Sequence, residues 1–316
     1  MTKLKIIALI AVIVVTAVAL APSLNNGFTN WDDPDFITEN PDIKSISFKK
    51  IGKFFTTSYG GFAGYVPFIL LTYTVEYSLF GLNAQAYHTT NLVLHLINCV
   101  LVFWFIFLIS QKLPVAFIVS LLFGIHPLHV EPVAWIQGRK DLLFSLFYLA
   151  ALILYVKYLK KGRKKSFYFF ALLFFILSLF SKVAAISLPF SLLLLDFFIS
   201  KKIDKQSIQN KIPFFLFSLL FVFLAFLTFD TGAFAIQASD IDYVNNILLF
   251  FYSFIFYINK ILLPFQLSAR YSMDISQLPL NLLAGVGIFF VIIFLLYRFY
   301  RSERYRHDVT FGILFF

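Results

Sequence analysis

Three carboxylates in four residues, Asp32, Asp33 and Asp35, follow Trp31 directly after the first apolar run of this sequence. Carboxylates crowded at a membrane edge repel one another unless water, a cation or a hydrogen-bond donor offsets the charge. Their natural chemistry is proton abstraction: a carboxylate tuned by its neighbours takes the proton from an acceptor hydroxyl, alone or beside a metal ion. An Asx turn closed by Pro34 uses the same residues for shape only. The residues by themselves favour neither reading.

A second dense segment runs from His126 through His129, Glu131 and Trp135 to Arg139-Lys140-Asp141, packing two His, two acids and two cations between apolar runs. The spacing of His126 and His129 suits a metal, yet Pro127 and Pro132 interrupt the helix that would align them with Glu131. The metal assignment therefore stays unknown, with a divalent cation as the candidate. Arg139 and Lys140 suit a phosphate instead, by forked hydrogen bonds and by point charge respectively.

Lys182 is the third feature, the one Lys or Arg in the long apolar stretch between Lys165 and Lys201. It either contacts the phosphate of a membrane-embedded substrate or extends to lipid headgroups. His88, Asn91 and His95 recur at helical spacing and share one face, which puts His88 near the site and His95 inside the bundle.

The elements that position these residues are membrane helices. Of the 316 residues 60% are hydrophobic, 20% are aromatic and only 13% are charged, so a bilayer is the natural solvent. The formal charge of +10 comes from Lys and Arg runs flanking apolar segments, where it sets topology, so nucleic acid is not an expected partner. One cysteine, Cys99, permits no intrachain disulfide. The first apolar run ends like a signal peptide at Ala21, but Pro22 favours a retained anchor.

Spans are expected over Leu4–Ala21, Thr89–Ile109, Pro114–Ile125, Leu142–Val156, Phe167–Ser181, Val183–Ile199, Pro213–Phe229, Ile247–Leu263 and Leu280–Tyr297. The basic segments Lys157 to Lys165 and Lys201 to Lys205 are cytoplasmic by the positive-inside rule. Counting back from them puts the 126–141 segment and Lys182 outside. Everything over about 22–88 then becomes one external loop, in which Val66 to Phe80 forms a helix that lies along the interface or packs on the bundle. Asp230, Asp240 and Asp242 fall in a later external loop without Lys or Arg, whereas the basic segment Arg298 to Arg306 breaks the simple alternation. The chain reads as one membrane domain over 1–316. Its final run, Phe311 to Phe316, has no polar flank, so a longer parent protein is expected.

The order of motifs resembles the membrane part of the tetratricopeptide-repeat O-mannosyltransferase family and its bacterial relatives. The matching elements are Trp31-Asp32-Asp33, Tyr65-Val66-Pro67, Phe80-Gly81-Leu82-Asn83, Tyr87-His88 with Asn91 and His95, and Phe123 to Trp135. Arg139-Lys140-Asp141, Ser181-Lys182, Leu194-Leu195-Asp196 and Leu263-Pro264-Phe265 complete the series. The resemblance implies an all-α polytopic membrane protein, a GT-C-like bundle with a long first external loop carrying interfacial helices. A soluble repeat domain is then expected beyond residue 316.

By the same resemblance, Asp32 and Asp33 are the catalytic pair, and Lys182, Arg139 and Lys140 bind the donor phosphate. Trp31, His88, His126, His129, Glu131 and Asp141 support the pocket. The implied reaction moves a sugar, mannose in the family, from a polyprenyl-phosphate donor to a protein or glycan hydroxyl with inversion. The site faces the non-cytoplasmic side of a bacterial inner membrane. A flippase or transporter for lipid-linked glycans, or a ligase that joins them, is the alternative.

Overall fold

A computed structural model of the chain describes residues 2–57, 59, 65–201, 203–227, 243–268 and 271, with short pieces between 287 and 298. Asp230, Asp240 and Asp242, most of the expected span 280–297, and residues 299–316 lie outside the described residues. The chain divides into two compact units, 1–233 and 234–316. Every regular element among the described residues is helical.

The first unit carries the site. Helix α1 (Lys3–Leu20) is continued by a 3-10 turn to Asn25, 23 residues that suffice for a bilayer. Helix α2 (Phe48–Phe54) starts on Ser47, whose side chain accepts from the Lys50 amide. Helix α3 (Pro67–Phe80) opens on the proline that suits a first turn and stops at Gly81, whose φ of 59° a side chain would resist. Helix α4 (Ala84–Ser110) begins on Asn83, which accepts from the Gln85 amide at 3.1 Å. Its 27 apolar-rich residues make it the longest span described.

Helix α5 (Leu113–Ile125) meets a bend of 55° before residues 127–134. Pro127 forces extended backbone on His126, at φ −65° and ψ 130°, and so ends the helix there. Three short helical pieces follow, among them α6 (Val130–Ala134), and lead into α7 (Arg139–Lys160). Helix α8 (Lys165–Ser181) packs back along α7 after a turn holding Gly162 at φ 65° and Arg163 at φ 54°. Beyond Lys182 come α9 (Leu188–Ser200), α10 (Lys205–Gln209) and α11 (Ile212–Leu227).

Five described helices are long and apolar enough to cross a membrane, or six if the bent pair around His126 is one span. This is an all-α polytopic membrane protein. Helix α8, at 17 residues, is not among those spans, and neither is the 14-residue helix α3. Helix α3 packs rather than floats: Ile69, Leu70 and Tyr73 are buried in a cluster with Phe36, Ile37, Ile43, Phe54, Tyr87, Ile136, Leu143 and Phe147. Burying such a side chain contributes about 1.5–3 kcal/mol where water is the alternative. The cluster therefore gives the long loop a fixed seat on α4 and α7.

The second unit is described mainly through α12 (Tyr243–Leu262), where the span over Ile247–Leu263 is expected. The Lys260 ammonium donates to the Phe265 carbonyl at 2.7 Å, closing the Leu263-Pro264-Phe265 turn.

Candidate functional site

The start of α7 organises the site, because three consecutive residues there reach three different elements. Arg139 pairs with Glu76 of α3, Lys140 with Asp32 after α1, and Asp141 with Lys182 at the end of α8. Successive residues on a helix are rotated by about 100°, so one turn can address three neighbours.

The outer two pairs are accessible. Lys140 and Asp32 stand 3.8 Å apart, and the Asp32 side chain is 42% exposed. Lys182 and Asp141 are in direct contact, at 37% and 33% side-chain exposure. The Lys140 ammonium also lies 5.0 Å from the Trp135 ring, and Trp135 meets half-exposed Trp31 edge to face at 6.1 Å. Two indoles, a carboxylate and one ammonium group thus form one contact chain, Trp31–Trp135–Lys140–Asp32, and the Lys182–Asp141 pair starts from the next residue of α7. Asp141 sits in the first turn of α7, where a negative charge complements the helix dipole.

Asp33 is placed quite differently from its neighbour. It is fully buried, and its Oδ2 accepts from the Thr29 amide at 2.7 Å and the Thr29 hydroxyl at 3.0 Å. Burial raises its pKa above the ordinary Asp value, an effect the Thr29 hydrogen bonds only partly offset. His88 is also buried, and its Nε2–H donates to the Gly27 carbonyl at 3.3 Å. These two residues shape the Gly27 to Asp33 turn from inside, and Asp32 alone of the acidic pair faces out.

Arg139, expected from the sequence as a phosphate ligand, lies inside the bundle and is already bonded to protein groups. Its side chain is fully enclosed, with Nε donating to Asn91 Oδ1 at 2.9 Å, Nη1 to Glu76, and Nη2 to the Tyr87 carbonyl at 2.9 Å. Tyr73 and Tyr87 cover its plane at 4.6 and 5.6 Å. Its donors are thus held by protein acceptors, and Arg139 and Glu76 also line a largely apolar cavity of about 560 Å³ with Phe68, Leu71, Val75 and Phe80.

The histidine segment is half-buried and bonds to local backbone. The His129 Nδ1–H donates to the Phe123 carbonyl at 2.6 Å, and the Leu128 amide donates to His126 Nδ1 at 3.2 Å. His95 donates to the Gly124 carbonyl at 3.0 Å and stacks on Phe123, as expected of a histidine satisfied within the bundle. Glu131 is exposed on α6 and takes part in neither accessible ion pair. Among the described residues no three His, Cys, Asp or Glu side chains gather where a metal ion could sit.

Two buried ion pairs had not been expected from the sequence, Glu76 with Arg139 and Asp196 of α9 with Lys211 before α11. The signal was present in both cases: a lone ionisable residue inside an apolar run must find a partner. Asp196 and Lys211 share that contact with the Tyr155 hydroxyl, which lies 3.0 and 3.1 Å from the two carboxylate oxygens.

Comparison with known proteins follows the same lines. The chain is 34% identical to protein O-mannosyl-transferase TMTC1 of Homo sapiens over 148 residues, 44% of this chain and 17% of that protein. It is 31% identical to protein O-mannosyl-transferase TMTC2 of Homo sapiens over 158 residues, 48% of the chain and 19% of the relative. For protein O-mannosyl-transferase TMTC3 of Homo sapiens the identity is 33% over 156 residues, 46% and 16% respectively. The chain spans less than a fifth of the length of these curated relatives. No family profile and no solved structure matches it.

Proposed function

We propose that this chain, whose homologues are protein O-mannosyl-transferases, is the membrane part of a GT-C type glycosyltransferase. It transfers a hexose, mannose, from a polyprenyl-phosphate donor to a hydroxyl of a protein acceptor. One observation carries the reading: adjacent residues of α7 hold an accessible carboxylate, Asp32, and an accessible ammonium, Lys182, at the same helix end.

In this reading Asp32 is the base, because an acceptor hydroxyl can reach it and cannot reach enclosed Asp33. The acceptor oxygen attacks the anomeric carbon as its proton passes to Asp32. The bond from that carbon to the phosphate oxygen breaks, and the phosphate leaves with the electron pair. Lys182 and Lys140 stabilise the charge gathering on it. A phosphate monoester is a good leaving group without protonation, so no acid is required, and a single displacement inverts the sugar carbon.

The charge distribution supports a non-cytoplasmic site. The 22 residues of α7 extend about 33 Å, the thickness of a bilayer core, and their far end leads into the basic Lys157 to Lys165 turn. With that turn held inside, Asp32 and Lys182 face outside.

The test is incubation of the purified chain in lipid nanodiscs with polyprenyl-phosphate mannose and Ser/Thr peptides, read by mass spectrometry. Mannosylated peptide of inverted configuration is expected. Absence of transfer, with translocation of the lipid-linked sugar in vesicles, overturns the reading in favour of a carrier.

A further inference from the structure

We propose that Arg139 is a positioning residue that clamps α3 and the entry to α7 together and so sets where Asp32 meets Lys140. The proposal rests on the transferase reading, in which Asp32 is the base.

The connection runs along two branches from one guanidinium. On the first, Arg139 pairs with Glu76, whose other oxygen accepts from the Thr90 hydroxyl at 2.5 Å. Glu76 lies on α3, and Ile69, Leu70 and Tyr73 of that helix share a buried cluster with Phe36 and Ile37. The Phe36 amide donates to the Asp32 carbonyl at 3.2 Å, so the cluster ends on the backbone of the proposed base.

On the second branch, Arg139 Nε holds Asn91 at 2.9 Å, and the Asn91 amide nitrogen lies 3.0 and 3.2 Å from the Trp135 and Ile136 carbonyls. The Tyr73 hydroxyl, beneath the guanidinium, reaches the Ile136 carbonyl at 2.9 Å. These residues lead directly into Lys140. Both members of the Asp32–Lys140 pair are therefore referred to a single buried group.

The chemistry of that group fits the task. A guanidinium offers separate N–H groups in one plane, and here Nη1 holds Glu76 of α3 while Nε and Nη2 hold Asn91 and the Tyr87 carbonyl, one turn apart on α4. An ammonium is a point charge and cannot hold the three in fixed directions. An apolar pair would fill the space without the cost of burying charge, and a buried ion pair in its stead fixes register rather than adding stability.

The variant that separates positioning from mere packing is Glu76→Leu with Arg139→Met, which retains volume and removes both charges together. In the full chain in detergent, we expect its melting temperature to stay near that of the wild type. Its kcat should fall about tenfold or more with donor KM within about twofold, the signature of lost orientation rather than lost binding. Amide hydrogen exchange over residues 26–40 should become faster.

Wild-type kcat and exchange in that variant would reduce Arg139 to packing. A donor KM raised about tenfold in Arg139→Gln, with Glu76→Gln unaffected, would make Arg139 a direct phosphate ligand. If the double variant does not fold, Glu76→Gln alone carries the same kinetic and exchange comparison. Should the wild type transfer no sugar at all, the transferase reading fails, and unchanged exchange over 26–40 would still overturn the clamp on its own terms.

Discussion

The Lys182 ammonium meets the Asp141 carboxylate across 41 residues of chain, joining the end of α8 to the first turn of α7. Both side chains are about one third exposed, and an exposed pair of this kind adds at most about 1 kcal/mol to stability. Its consequence is positional: a cation is held at the bundle end where Asp32 is accessible, yet remains open to an anion.

From this follows the first prediction. Lys182→Ala should raise donor KM about tenfold or more while the protein stays folded, because a point charge on the phosphate is lost and little stability with it. Lys182→Arg should retain most activity. Steady-state kinetics against donor concentration decide it. A KM unchanged in Lys182→Ala removes the phosphate role.

The acidic pair should separate by kinetics as it separates by burial. Asp32→Asn removes the proposed base and should lower kcat by about 100-fold or more, in the range usual for general bases. Asp33→Asn preserves the carbonyl oxygen that accepts from Thr29 and should cost far less. If the two losses are reversed, the acceptor reaches Asp33 through a rearranged loop and the assignment of the base is wrong.

The buried Asp33 also predicts a pH dependence of stability. Burial raises its folded-state pKa, so the fold binds this proton more tightly than the unfolded chain does. The stability it contributes is fully present below the ordinary Asp value and is lost as pH rises through the raised one. The cost is about 1.4 kcal/mol for each pH unit separating the two values. Asp33→Asn should flatten that part of the melting curve between acid and neutral pH, and should not lower the melting temperature at neutral pH.

How far the site could be read without coordinates depends on what each residue answers to. Lys182 stands out in the sequence as the one Lys or Arg between two basic turns, and the structure sets it at the end of α8 against Asp141. The seat of α3 was legible in part, since its 14 residues fall short of a crossing. Composition ranks Arg139 with Lys140, its neighbour, whereas about 100° of helical rotation takes one to enclosed Glu76 and the other to part-exposed Asp32. The split between Asp32 and Asp33 depends on the Thr29 hydrogen bonds, which a one-dimensional pattern does not reveal. His126 and His129 have ligand-like spacing, but the Pro127 bend directs both rings to local backbone groups.

Gly138 offers a test of the turn that feeds α7. A Cβ there would lie 2.6 Å from Pro132 Cα and 2.7 Å from its carbonyl oxygen, both backbone atoms that cannot swing aside. Gly138→Ala should therefore destabilise the protein by about 1–3 kcal/mol, as overpacking does elsewhere. Because relief requires moving the start of α7, kcat should fall as well, in a folded fraction isolated by size exclusion. A variant with wild-type melting temperature and kcat would show that the turn is not held as tightly as these contacts imply.

The pair Asp196–Lys211 supplies the contrasting case, a buried charge contact remote from the site. Both side chains are almost fully enclosed, and Tyr155, which hydrogen-bonds Asp196, lies 16 residues into the chain from Arg139, about 24 Å along α7. Lys211→Ala leaves a carboxylate buried without its cation, which typically costs about 3–5 kcal/mol. Asp196→Leu combined with Lys211→Met removes both charges and should recover most of that loss. Thermal melting in detergent measures the first effect, and kcat per folded molecule measures the second expectation, that transfer in the double variant stays close to wild type. A fall in kcat without a fall in melting temperature would mean that the two ends of α7 are coupled. Asp32 would then answer to more than the contacts at its own end of the bundle.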